Sequence, residues 1–89
     1  MDITNVWNNI IKNAGEKFYT RTGIEFTYSL IDNNTILPNN IRNSILLPIT
    51  KNTIDDVITN HWPVKSVSQL QSFYAPSYIY AIVNDTRII

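Results

Sequence analysis

Two hydrophobic periods follow one another in this chain, and together they decide what it can fold into. Ile3, Val6, Trp7, Ile10, Ile11 and Ala14 recur at helical spacing and form one apolar stripe. From Ile24 the period drops to two. Ile24, Phe26, Tyr28 and Leu30 alternate with Glu25, Thr27, Ser29 and Ile31, and these residue types suit a pleated, half-buried strand. Each pattern needs a second layer to bury against, so the sequence predicts an α+β fold. The expectation is an N-terminal helix, a small antiparallel sheet of about three strands and two or three short C-terminal helices, in a single domain over 1–89.

Punctuation residues divide the chain accordingly. Asp2 or Thr4 caps the first helix and Gly15 closes it. Glu16 to Thr20 is a first strand, and Gly23 supplies the positive φ of a hairpin loop. Asp32-Asn33-Asn34 makes the next turn and leads to a third strand, Thr35 to Leu37, stopped by Pro38. Asn39 to Asn43 reads as a polar loop, and Ser44 to Leu47 as an edge or connecting strand before Pro48. Thr50 or Thr53 caps a helix whose inner face is Ile54, Val57 and Ile58, ended by Pro63. Ser66 and Gln69 have the spacing of a capping box. The run from Ser77 to Val83 fits either period, but Pro76 ahead of it and Asn84-Asp85 behind it favour a helix.

Composition narrows the function classes. Apolar residues make up 44% of the chain and aromatics 11%, enough for one core. There is no cysteine, so packing alone must hold the fold, which fits a reducing cytoplasm. No apolar run reaches membrane length, and the opening MDITNVWNNI lacks a basic flank, so no membrane association is expected. Isoleucine and asparagine together fill roughly a third of the chain, well above ordinary usage. Both have AT-rich codons, which points to a bacterial or phage genome. Seven basic residues balance seven acidic ones, which argues against strong sequence-independent grip on duplex DNA.

The chain is poor in catalytic signals. His61 is its one histidine, and the separations among Asp55, Asp56 and His61 do not stack them on one helical turn. No set of side chains has the spacing of a zinc site, and no cofactor is implied. With two glycines in all, neither a nucleophile elbow nor a phosphate-cradling loop is present. A toxin-like ribonuclease centre would have to gather Arg21, Arg42, His61 and Arg87, without the basic excess that holds RNA. The expectation is no catalysis.

Binding signals are more concrete. Lys17, Tyr19 and Arg21 lie beside Gly23, with Phe26 and Tyr28 following. Cations interleaved with aromatics suit a single strand of nucleic acid, because rings stack on bases while cations meet phosphates. Phe18, Phe26 and Tyr28 are also what a half-buried sheet face requires.

Residues 53–89 resemble a helix-turn-helix, or the helical half of a winged helix. Ser66-Val67-Ser68-Gln69-Leu70 stands as the first helix, and Pro76-Ser77-Tyr78-Ile79-Tyr80-Ala81 opens the second. The resemblance implies that the second helix meets the major groove through its N-terminal residues. Here those are Ser77, Tyr78 and Tyr80, with Lys65 and Arg87 as the nearest cations, and no Arg, Lys, Asn or Gln opens the helix to read base edges.

Two expectations follow for partners. The first is DNA or RNA, bound weakly and in a salt-sensitive way by Lys17, Arg21, Lys65, Tyr78 and Arg87, in a domain accessory to a larger DNA- or RNA-processing protein. The second is a protein partner, met through Trp62, Tyr74, Tyr78 and Tyr80, as in an adaptor, a phage-type inhibitor or an antitoxin.

Overall fold

The computed structural model describes residues 2–39 and 47–89. The chain runs α1 (Ile3–Lys12), β1 (Phe18–Tyr19), β2 (Glu25–Asp32), β3 (Thr35–Asn39), β4 (Ile49–Thr50), α2 (Lys51–Asn60), a 3-10 turn (Val67–Leu70) and α3 (Pro76–Val83). This is the α+β order that the two periods predict. The sheet has four strands among the described residues, in the order β1-β2-β3-β4 with antiparallel neighbours. Of the loop expected over Asn39–Asn43 and the strand over Ser44–Leu47, residues 40–46 lie outside the described residues; Asn39 instead ends β3, and β4 follows Pro48.

Helix α1 starts where Asp2 accepts a hydrogen bond from the Thr4 N–H at 2.9 Å. Its apolar stripe buries Val6, Trp7 and Ile10. The Trp7 indole N–H donates to the Asn33 carbonyl at 2.8 Å, tying the helix to the β2–β3 turn. Gly15, at φ +87°, turns the chain so that its N–H donates to the Tyr28 carbonyl at 2.9 Å.

That bond fixes the parity of the sheet. The Tyr28 carbonyl points toward the β1 side, so Tyr28 and Pro38, which face each other, form a non-hydrogen-bonded pair. The nitrogen of Pro38 therefore faces away from β2, on the side where β4 reaches Thr35 and Ile36. A proline there costs the β2–β3 ladder nothing, and β3 continues through it to Asn39 instead of stopping. Near the β2–β3 turn the register shifts between Leu30 and Asp32, and the extra residue, Ile31, is 55% exposed.

The helices line the inner face of the sheet. Thr50 caps α2 by accepting from the Thr53 N–H at 3.1 Å, and α2 buries Ile54, Val57 and Ile58. His61 closes α2, and the following Trp62–Pro63 peptide is cis. The Gln69 side chain reaches back to the N–H groups of Lys65 (2.8 Å) and Ser66 (3.2 Å), as the capping-box spacing predicts, but the segment forms only one 3-10 turn. The ambiguous run is the helix α3, with Pro76 in its first turn and Ile79, Ile82 and Val83 buried.

Phe18, Phe26 and Tyr28 make up an aromatic row in the core. Phe18 lies 5.8 Å from Phe26 and 5.3 Å from Tyr28, and Phe26 meets Tyr78 of α3 edge-on at 4.7 Å. The Tyr28 hydroxyl donates to the Ile10 carbonyl, one of the terminal carbonyls that α1 cannot satisfy by itself. Burial pushes the ionisation of this phenol well above its ordinary range. Tyr28→Phe keeps the ring and strands that carbonyl, so urea unfolding should show a loss of about 1–3 kcal/mol. An unchanged midpoint would mean that the bond contributes nothing to holding α1 on the sheet.

Candidate functional site

Burial alternates strictly along the first hairpin arm. Phe18 and Thr20 are buried, whereas Lys17, Tyr19 and Arg21 between and beside them are exposed. Thr20 holds the parity: its N–H donates to the Ile24 carbonyl at 2.9 Å, and its hydroxyl accepts from the Ile24 N–H at 3.1 Å. Lys17 and Tyr19 therefore lie exposed at β1, and Arg21 follows, also exposed, in the turn closed by the Gly23 N–H donating to the Thr20 carbonyl at 2.9 Å.

The same side continues across the sheet. Tyr19 faces Glu25, Thr27 faces Asn39 and Ser29 faces Leu37. Tyr19, Glu25, Ser29 and Asn39 are exposed, and Thr27 and Leu37 are half-buried. One face of the sheet is thus committed to the core, while the other is an open polar surface with Tyr19 (57% exposed) at its β1 edge. The Tyr19 hydroxyl donates to a Glu25 carboxylate oxygen at 3.4 Å, a long bond that orients the ring loosely.

The predicted contact residues divide into separate groups. Lys17, just ahead of β1, and Arg21, in the turn after it, are both exposed and enter no ion pair among the described residues. Lys65 is exposed ahead of the 3-10 turn, and no hydrogen bond links it to the hairpin among the described residues. Tyr78 is half-buried with its ring against Phe26. Arg87 is exposed, yet its guanidinium is taken up by partners within the chain. Its guanidinium forms two hydrogen bonds to the Asp85 carboxylate, both at 2.9 Å, and a third at 2.9 Å to the Lys17 carbonyl. It also lies 4.1 Å above the Phe18 ring. This clasp fastens the C-terminal segment to the start of β1. The bond to Arg87 holds the Asp85 carboxyl below the usual carboxylate range, and Asp85 in turn raises the guanidinium.

The predicted protein-contact residues divide too. Trp62 and Tyr80 are half-buried against the core, as Tyr78 is. Tyr74 is 81% exposed, just ahead of Ala75, which is buried in a left-handed conformation at φ 56°. His61 meets the Phe73 ring edge-on at 5.3 Å and lies 4.0 Å from Asp56. Among the described residues no cluster of three or more His, Cys, Asp or Glu side chains is placed to hold a metal, and no helix is long and apolar enough to cross a membrane.

The sequence already sets Tyr19 between Lys17 and Arg21 as a stacking ring, whereas Glu25 is not among the contacts it predicts. The signal for Tyr19 is the two-residue period of Lys17, Tyr19 and Arg21. Glu25 becomes visible only once the hairpin register sets it opposite Tyr19. No protein-family model, curated protein or solved structure matches the chain.

The Asp85 clasp predicts a pH dependence of stability. The folded-state pKa of Asp85 is lowered, so its contribution is complete above the unfolded value of about 3.9 and is lost as pH falls through the folded value. Asp85→Asn keeps an acceptor for the Arg87 N–H but removes the charge. In thermal melts it should unfold below wild type at neutral pH, with a gap that closes on acidification. A gap independent of pH would contradict the clasp.

Proposed function

We propose that this chain is a non-catalytic nucleic-acid-binding domain, accessory to a larger DNA- or RNA-processing protein, and that it receives an unpaired strand on the outer face of the β1–β2 hairpin. The observation that carries the reading is the exposed trio Lys17, Tyr19 and Arg21, which alternates with the buried Phe18 and Thr20 along β1 and into its turn. Tyr19 offers a face to one base, and the cations on either side meet the phosphates that flank it. The balance of seven basic and seven acidic residues fits a site that engages few phosphates and relies on stacking, rather than one that clamps a duplex. A site of this size is weak alone, so a larger partner that delivers the strand supplies the remaining affinity through effective concentration. The helix-turn-helix-like segment contributes less to this reading, because its first member is a single 3-10 turn and Tyr78 packs on Phe26.

The test is fluorescence anisotropy with a labelled single strand of roughly twelve nucleotides, titrated over a range of salt. Two phosphate contacts give a slope of log K against log[salt] near about −1.4, and Lys17→Ala or Arg21→Ala should bring it to about −0.7. Tyr19→Ala should cost about 1–3 kcal/mol of binding with little change in the slope. Binding indifferent to salt, or none at low ionic strength, refutes the proposal.

Tyr74 favours a second reading, a protein-interaction module. A ring exposed to 81% beside a buried Ala75 is presented as an interface anchor would be. Tyr74→Ala should leave urea unfolding within about 0.5 kcal/mol of wild type and leave oligonucleotide affinity unchanged. Loss of strand binding in this variant would move the nucleic-acid site away from the hairpin.

A further inference from the structure

We infer that Glu25 makes the hairpin face selective for guanine in an unpaired strand; the inference rests on the nucleic-acid reading above. Glu25 stands directly opposite Tyr19, and because Thr20 and Ile24 are the hydrogen-bonded neighbours, Tyr19 and Glu25 form the closer, non-bonded kind of pair. The carboxylate lies at the hydroxyl end of the phenol ring, where Oε1 accepts the 3.4 Å bond from Tyr19. It is exposed, no Lys or Arg pairs with it among the described residues, and no hydrogen bond to Oε2 is formed there. An acceptor-only group is thus set at the rim of the stacking platform, on the hairpin that carries the exposed Lys17 and Arg21.

A phosphate is repelled from that position, so the register that places phosphates at Lys17 and Arg21 brings a base edge to Glu25. A carboxylate takes two parallel N–H donors best. The Watson–Crick edge of guanine carries two adjacent donors, N1–H and the N2 amine, that match its two oxygens. Cytosine and adenine each set one amine beside a ring-nitrogen acceptor, and thymine and uracil flank a single N–H with two carbonyls that oppose the carboxylate. Base pairing occupies the same edge in a duplex, so the carboxylate selects for single strands by the same chemistry.

The experiment compares three labelled single strands in lithium chloride at low ionic strength: oligothymidine, the same strand with alternate thymines replaced by guanine, and the same strand with inosine in those places. The guanine strand should bind roughly ten-fold tighter than oligothymidine, with inosine, which lacks the N2 amine, in between. Glu25→Gln, checked for folding by circular dichroism, should abolish the guanine preference while binding oligothymidine as well as wild type or better. Salt-sensitive binding of all three strands with equal affinity overturns the inference and leaves the nucleic-acid reading standing, as does a guanine preference that survives Glu25→Gln. No binding to any strand overturns both.

Discussion

The aromatic row on the inner face of the β1–β2 hairpin is the constraint on which the rest of the structure depends. Phe18, Phe26 and Tyr28 each reach a different part of the chain. Tyr28 holds the C-terminal end of α1 through the Ile10 carbonyl, Phe26 receives Tyr78 of α3, and Phe18 lies beneath the Arg87 guanidinium that fastens the C-terminal segment. A strand has only two faces, so committing these three rings to the core forces their neighbours outward. Tyr19, Glu25 and Thr27 occupy the open side for that reason, with Lys17 and Arg21 exposed just beyond the two ends of β1. The candidate site is the other half of the packing decision.

Much of this was legible in the sequence because it depends on local patterns. The helical stripe from Ile3, the alternation through β2, the Thr50 cap with Ile54, Val57 and Ile58, and the Pro76 start of α3 all reappear as elements. Local rules failed where a distant partner decides. Pro38 reads as a stop, yet β3 passes through it because the Gly15 N–H has already drawn the Tyr28 carbonyl to the opposite side. The capping box at Ser66 and Gln69 reads as the start of a helix, but the chain forms one 3-10 turn before turning toward α3. Arg87 reads as a cation open to a partner, while its exposed guanidinium is already engaged by Asp85, the Phe18 ring and a carbonyl seventy residues earlier in the chain.

Charge shows the same division. A balanced total says little about where charges lie, and here the fold sorts them. Arg87 is matched by Asp85, whereas Lys17 and Arg21, just beyond the two ends of β1, enter no ion pair among the described residues, and Tyr19 of β1 has one carboxylate opposite its ring. This neutral, mixed surface differs from the broad positive field of a duplex binder. On the proposed reading, it offers separate chemistry for phosphate, for the flat face of a base and for the edge of a base.

The most direct test of this account is a nuclear magnetic resonance titration of the isotope-labelled chain with a short single-stranded oligonucleotide. The account predicts amide shift changes concentrated at residues 17–27, with the amides of α2 and the α3 N-terminus unmoved. Shifts centred on Tyr74 or on the first turn of α3, with residues 17–27 silent, would contradict it.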